Sequence, residues 1–131
     1  LLVNACRAAG IPARAVGTPL WTNKTGNHTW VEVWDGKWHY LGAAESKVLN
    51  TAWFTKQAAA ADATKPVHRI YAACFQRTGT HFPMIWSRRD WSVPAVDVTA
   101  CYTRKGKERK RGQEPFSAQN ERQAQKTPEK A

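Results

Sequence analysis

One segment, residues 28–41 (HTWVEVWDGKWHYL), restricts the fold more than any other part of the chain. Residues 29–34 alternate between large side chains on one side and valines on the other, which is the period of a half-buried strand. Asp35-Gly36 is typical of a two-residue type I′ turn, and the residues after it return as a second strand. The segment therefore predicts a β-hairpin.

A two-residue turn would fix the pairing of the hairpin, with Glu32 opposite His39. This register places His28 and Glu32 on the same face as His39, and Glu45 joins them if the second strand continues. Glu45 would then lie diagonally from His28, about 7 Å away at the backbone. A histidine oriented by a carboxylate is the base half of a nucleophilic triad. Considered apart from the two histidines, Glu32 is equally well explained as a member of an ion pair on the protein surface.

The remaining segments predict a mixed α+β domain. Residues 1–9 have helical spacing, and Gly10 and Pro12 end that helix. Helix-forming residues fill 50–61, whereas residues 13–21, 67–75 and 93–102 read as strands.

The domain is expected to span residues 1–102. Of all 131 residues of the chain, 42% are hydrophobic, which is enough to build a modest core. Residues 103–131 carry nine Lys or Arg against four Glu, a net +5 of the total +10, and few aliphatic side chains. This composition predicts a disordered basic tail. The run RKGKERKR within it could bind phosphate groups, but without interleaved aromatic residues no specific nucleic-acid binding is expected.

The beginning of the chain predicts an incomplete domain. Leu1 opens directly into a helical pattern with no cap before it, so we expect the original N-terminus to have been removed. No apolar run is long enough for a membrane span, and the compartment, including an extracytoplasmic one, stays open. Three widely spaced cysteines predict neither a disulfide framework nor a metal site.

The stretches ACRAAGIPARAVG and NHTWVEVWDGKWHYLG resemble the transglutaminase-like superfamily, which shares the papain-like thiol-enzyme fold. The resemblance covers residues 1 to about 54 well and 55–102 loosely. It implies a helix packed on an antiparallel sheet, a Cys-His-acid triad, and acyl transfer to or hydrolysis of a protein or peptide amide. No cofactor is implied.

The resemblance assigns the base of the triad to a residue of this chain but not the nucleophile. His28 matches the catalytic base, whereas the family's nucleophile lies about four helical turns before the position of Gly10, which is upstream of Leu1. Cys6 precedes Gly10 by only four residues, near a helix C-terminus where the macrodipole disfavours a thiolate. The chain as printed is therefore expected to be inactive and marginally stable.

The acid departs from the family pattern. The family usually has Asp four residues after the tryptophan that corresponds to Trp38, and that position is Gly42 here. Glu45 is the nearest carboxylate and is the predicted replacement.

Two tryptophans, Trp21 and Trp30, are the predicted substrate-binding residues, although strand tryptophans more often pack in a core. The missing Asp at position 42 favours a second interpretation. In that interpretation the domain is a non-catalytic binding module for peptide or cell-wall ligands.

Overall fold

The computed structural model describes residues 1–42 and 47–104 of the chain. Five strands form one antiparallel sheet in the order β3-β2-β1-β4-β5. The α+β class is thus confirmed. The elements are α1 (Leu2–Ala8), β1 (Ala13–Thr18), β2 (His28–Trp34), β3 (Trp38–Leu41), α2 (Thr55–Ala59), a 3-10 turn (Pro66–His68), β4 (Tyr71–Ala73), β5 (Ala95–Asp97) and a helical segment at 99–104.

Helix α1 ends where the sequence indicated. Gly10 has φ 78°, its N–H donates to the carbonyl of Arg7, and the N–H of Ile11 donates to the carbonyl of Cys6. This is the hydrogen-bond pattern of a Schellman cap, which needs a residue in the left-handed region and therefore favours glycine. No residue of α1 is buried, although the sequence pattern is that of the last part of a core helix.

The hairpin register differs from the prediction by one residue. Trp34 pairs with Trp38 and Glu32 with Tyr40, so three residues rather than two form the loop. A type I′ turn needs two positive φ angles, and within the loop only Gly36 has one, at 99°. Because side chains alternate along a strand, the one-residue shift moves His39 to the face opposite Glu32.

Four other predicted elements are shorter in the structure. The strand expected at 13–21 covers only Ala13–Thr18. The helix expected at 50–61 covers only Thr55–Ala59, and the strand expected at 67–75 covers only Tyr71–Ala73 after the 3-10 turn. The strand expected at 93–102 ends at Asp97, whose carboxylate accepts the N–H of Thr99 at 2.9 Å and begins a helical segment. The boundary expected at residue 102 falls inside that segment, and residues 105–131 of the expected tail lie outside the described residues.

The core consists of two clusters. The smaller contains Tyr71, Phe82 and Ala95. The larger cluster combines side chains of β1, β2, β3, α2 and β4 with side chains of the segments that connect or follow the strands. Its members are Val16, Trp21, Trp30, Tyr40, Phe54, Ala58, Ile70, Ala72, Val98 and Tyr102. Three of its aromatic residues, Trp21, Trp30 and Phe54, contact the first residue of β2, and these contacts position the candidate site. Within the described ranges, no helix has the length and apolar character required to cross a membrane.

Candidate active site

His28 is the first residue of β2, and its ring lies in an aromatic enclosure formed by Trp21, Trp30, Trp53 and Phe54. The ring centroids of Trp53 and Phe54 are the nearest, at 4.7 and 5.0 Å. The Nε2 atom is buried, although the residue as a whole is only half-buried. The enclosure therefore limits the contact of this imidazole with water without removing the residue from the surface.

The nearer walls of the enclosure come from the segment between β3 and α2. Phe54 is fully buried, whereas Trp53 beside it is 55% exposed. The segment is attached to β3 at both ends, because the N–H of Asn50 donates to the carbonyl of Tyr40 at 2.8 Å, and the hydroxyls of Tyr40 and Thr55 lie 2.9 Å apart. Strand β3 thus determines where Trp53 and Phe54 meet His28.

A buried polar network lies on the same face of the sheet. Glu32 is 4% exposed, and its Oε2 accepts two hydrogen bonds from the guanidinium of Arg14, at 2.8 and 3.1 Å. Its Oε1 accepts the hydroxyl of Tyr102 at 2.9 Å, and that hydroxyl oxygen accepts the indole N–H of Trp30 at 2.8 Å. The expectation of a surface ion pair for Glu32 is therefore wrong: both oxygens are used inside the core, where they orient Trp30.

Tyr102 has a strongly perturbed hydroxyl. Burial raises the pKa of Tyr102 well above 10.0, and the neighbouring charge of Glu32 adds to the effect. Sequence analysis placed this residue in a strand, and the residue pattern contained no signal that it would link Trp30 to Glu32. The link forms only because the segment after β5 folds back as a helix onto the sheet.

The raised pKa of Tyr102 predicts a loss of stability in alkali. Above its ordinary pKa of about 10 the unfolded chain loses the phenolic proton while the folded chain keeps it, so the free energy of unfolding falls as pH rises. Urea unfolding at about pH 8 and about pH 11 should show this decline, with a smaller decline in Tyr102→Phe. At neutral pH that variant should also be about 1–3 kcal/mol less stable, because two buried partners lose their hydrogen bonds. Equal alkaline declines in both proteins would contradict the assignment.

His39 does not join this site. It lies on the other face of the hairpin, where its Nε2 is 2.7 Å from Oδ1 of Asp35 and its Nδ1 is 2.7 Å from Nδ2 of Asn50. The predicted grouping of His28 with His39 is therefore wrong, because it depended on a two-residue turn. The predicted acid, Glu45, lies outside the described residues.

The described cysteines lie in three different places. Cys6 is half-buried in α1, Cys74 follows β4 and donates its thiol to the carbonyl of Gln76, and Cys101 is exposed on the last helical segment. None of them is among the ring contacts of His28 given above. In the part of the chain that the structure covers, no three His, Cys, Asp or Glu side chains group in a way that could hold a metal ion.

The two predicted substrate-binding tryptophans lie in the core. Trp21 is 4% and Trp30 is 2% exposed, and their rings stack on each other with centroids 5.9 Å apart. Both contact His28, so they can support the imidazole but offer little surface to a ligand. Trp53 is the indole of this enclosure that remains accessible.

Fold and site together define an α+β domain whose candidate base heads a central strand of an antiparallel sheet. Residues 1–43 match the family model described as the transglutaminase-like superfamily, from α1 through the end of β3. The match covers about a third of the chain and confirms the resemblance found in its sequence. No curated protein and no solved structure matched the chain.

Proposed function

We propose that this chain is part of a thiol-dependent acyltransferase or amide hydrolase in which His28 transfers the proton. The observation that carries the proposal is the position of His28. It stands at the head of β2, the position that the resemblance assigns to the catalytic base, in an enclosure that buries Nε2. A general base needs such restricted solvation and a fixed ring to act on a nearby thiol.

The proposed reaction begins when a cysteine thiol gives its proton to His28 and the thiolate attacks the carbonyl carbon of a protein or peptide amide. The tetrahedral intermediate collapses as the C–N bond breaks, and His28 returns the proton to the leaving amine. Water or a second amine then attacks the thioester and releases the thiol. Glu45 is proposed as the carboxylate that orients His28 and stabilises its protonated form.

The nucleophile is proposed to precede Leu1 in the same polypeptide. Helix α1 packs against β1 and β2, and Arg7 donates to the carbonyl of Ala13 at the beginning of β1. From there to the level of His28 the sheet extends five residues, about 17 Å at 3.4 Å per residue. The four helical turns of the superfamily pattern span about 22 Å. A helix that continues α1 backwards along the sheet would therefore be long enough to bring a cysteine to His28.

The test compares the printed chain with the polypeptide extended by the codons before Leu1, each treated with a thiol-reactive amide probe. Labelling and turnover are expected only in the extended protein. There His28→Gln should lower kcat/KM by about 10²–10⁴-fold, the usual contribution of a general base. His81→Gln is the matched control and should stay within about threefold, because its exposed ring stacks on Trp91 and is not among the ring contacts of His28. Hydrolysis by the printed chain with labelled Cys6, or full activity of His28→Gln, would refute the proposal.

A second candidate function is a non-catalytic binding module, and a specific observation favours it. Trp86 and Trp91 are 75% and 69% exposed, and His81 stacks on Trp91 with centroids 5.3 Å apart. Arg77 lines the same open cavity as this ring pair. Within the described ranges, the ion pairs involve Arg14, His39 and Arg69, not Arg77. The indole of Trp91, held by His81 on one face, offers its other face for stacking on a ligand, and the guanidinium of Arg77 can bind a carboxylate. This combination suits a carboxylated sugar or peptide of the cell wall.

The binding function is tested by calorimetry with soluble cell-wall fragments that carry carboxylates. Trp91→Ala should weaken binding at least about tenfold, because it removes the stacking surface. Phe75→Ala, which removes another exposed ring at 88% exposure, is the matched control and should leave the affinity unchanged. Equal affinities of the two variants would exclude this surface.

A further inference from the structure

Two of the hydrogen bonds of the Asn50 side chain together determine the orientation of its amide and the proton position on His39. The backbone N–H of Tyr40 is a donor, so the side-chain atom 3.2 Å from it must be the amide oxygen. The amide nitrogen then faces Nδ1 of His39 at 2.7 Å. Since that nitrogen can only donate, Nδ1 must accept, and the ring proton resides on Nε2, from which it is donated to Asp35.

A second ring proton on His39 does not fit this arrangement. It would place an N–H of the ring opposite the NH2 of Asn50. Rotating the amide by a half-turn relieves that contact but places the NH2 opposite the N–H of Tyr40. Neither orientation satisfies both donors, so protonation must break one of the two hydrogen bonds.

The charged surroundings of His39 include one partner that opposes this effect. Asp35, in the turn before β3, lies on the Nε2 side and attracts a protonated ring. Strand β2 presents the uncharged Val33 opposite His39, and the segment after β3 presents Asn50. Lys37 and Lys47 are exposed and add positive charge to this end of the hairpin. The second proton makes the Asp35 contact an ion pair and strengthens it, so the hydrogen bond that is lost is one of the two made by the side chain of Asn50.

The position of Asn50 connects this pair of hydrogen bonds to the candidate site. Its φ of 59° turns the chain towards α2, and Trp53 and Phe54 follow within four residues. These two rings are the nearest aromatic neighbours of His28. Loosening Asn50 from β3 therefore loosens the wall of the enclosure.

We infer that Asn50 and His39 form a latch that positions Trp53 and Phe54 against His28, and that the latch opens when His39 takes a second ring proton. Asn50 and His39 are thus positioning residues that contact neither substrate nor the reacting atoms. Their importance for catalysis rests on the proposed function, whereas the latch itself is a property of the described chain.

The latch is tested by amide hydrogen exchange of the segment 50–58 in the full chain, compared at about pH 8 and about pH 5. After correction for the intrinsic pH dependence of exchange, protection of this segment should fall at least about tenfold at the lower pH, relative to β1 and β2. His39→Gln should show equal relative protection at both pH values. An unchanged protection in the parent chain, or an acid response retained in His39→Gln, would overturn the inference.

The matched variant Asn50→Asp distinguishes the latch from general acid loosening. One carboxylate oxygen can still accept the N–H of Tyr40, and the other can accept a protonated Nδ1 of His39, so the variant should gain relative protection on acidification. Asp also tolerates the left-handed backbone of residue 50. An acid-induced loss like that of the parent chain would contradict the latch. Exchange does not depend on turnover, so a failure of the activity test leaves this result intact, and the reverse also holds.

Discussion

Replacing Arg14 with Met is expected to lower the free energy of unfolding by about 3–5 kcal/mol, because it leaves a buried carboxylate without its cation. Arg14 donates two hydrogen bonds to Glu32, whose side chain is only 5% exposed, and its guanidinium lies 3.9 Å from the ring centre of Trp38. Met retains much of the apolar volume but none of the donors. Chemical denaturation of the full chain, with near-ultraviolet circular dichroism as the probe, measures the change.

Two comparisons identify the cause of this loss. Adding Glu32→Gln to the Arg14→Met variant removes the unpaired charge, so much of the stability should return. Arg69→Met removes the cation of a more exposed pair, Arg69 with Asp97 at 3.6 Å, and should cost about 1 kcal/mol or less. If Arg14→Met and Arg69→Met proved equally mild, the buried network would not stabilise the core.

Replacing Phe54 with Ala is expected to cost about 3–5 kcal/mol and to open the enclosure of His28. The ring is fully buried, and its centroid lies 4.6 Å from that of Trp30 and 5.0 Å from that of His28. Removing it leaves a cavity between β2 and α2 that the surrounding rings can fill only in part. Thermal and urea unfolding measure the stability, and the ring proton signals of His28 report the change in its surroundings.

The control for this variant is Phe75→Ala. Phe75 is 88% exposed and contacts the guanidinium of Arg7 at 5.1 Å, so its loss should cost under about 1 kcal/mol and leave the signals of His28 unchanged. A cost for Phe54→Ala no larger than that of Phe75→Ala would mean that the enclosure is not part of the folded core.

The fold could be predicted well where local chemistry decides it. Gly10 ends α1 as expected, because a Schellman cap requires only backbone conformation and nearby carbonyls. The alternation of residues 29–34 correctly indicated β2. The register of the hairpin was harder to predict. Asp35-Gly36 suits a two-residue turn, but the loop contains a third residue, so the prediction assigned His39 to the wrong face of the sheet.

The candidate site was predicted only in part for the same reason. Residue type and local pattern indicated His28, but its four aromatic neighbours come from β2, the segment before it and the segment after β3. The distance along the chain from Tyr102 to Glu32 is 70 residues, so no local pattern could join them. Glu45 stays a prediction, since it lies outside the described residues.

By itself, the sequence determined the strand that carries His28, the cap that ends the first helix and the match of residues 1–43 to a superfamily model. These features depend on alternation, glycine conformation and motif spacing, all of which are local. Only the tertiary structure decided that Glu32 is buried with Arg14 and Tyr102, and that Trp53 and Phe54 enclose His28. Burial and long-range hydrogen bonds depend on which distant segments meet, and packing of the whole chain determines that.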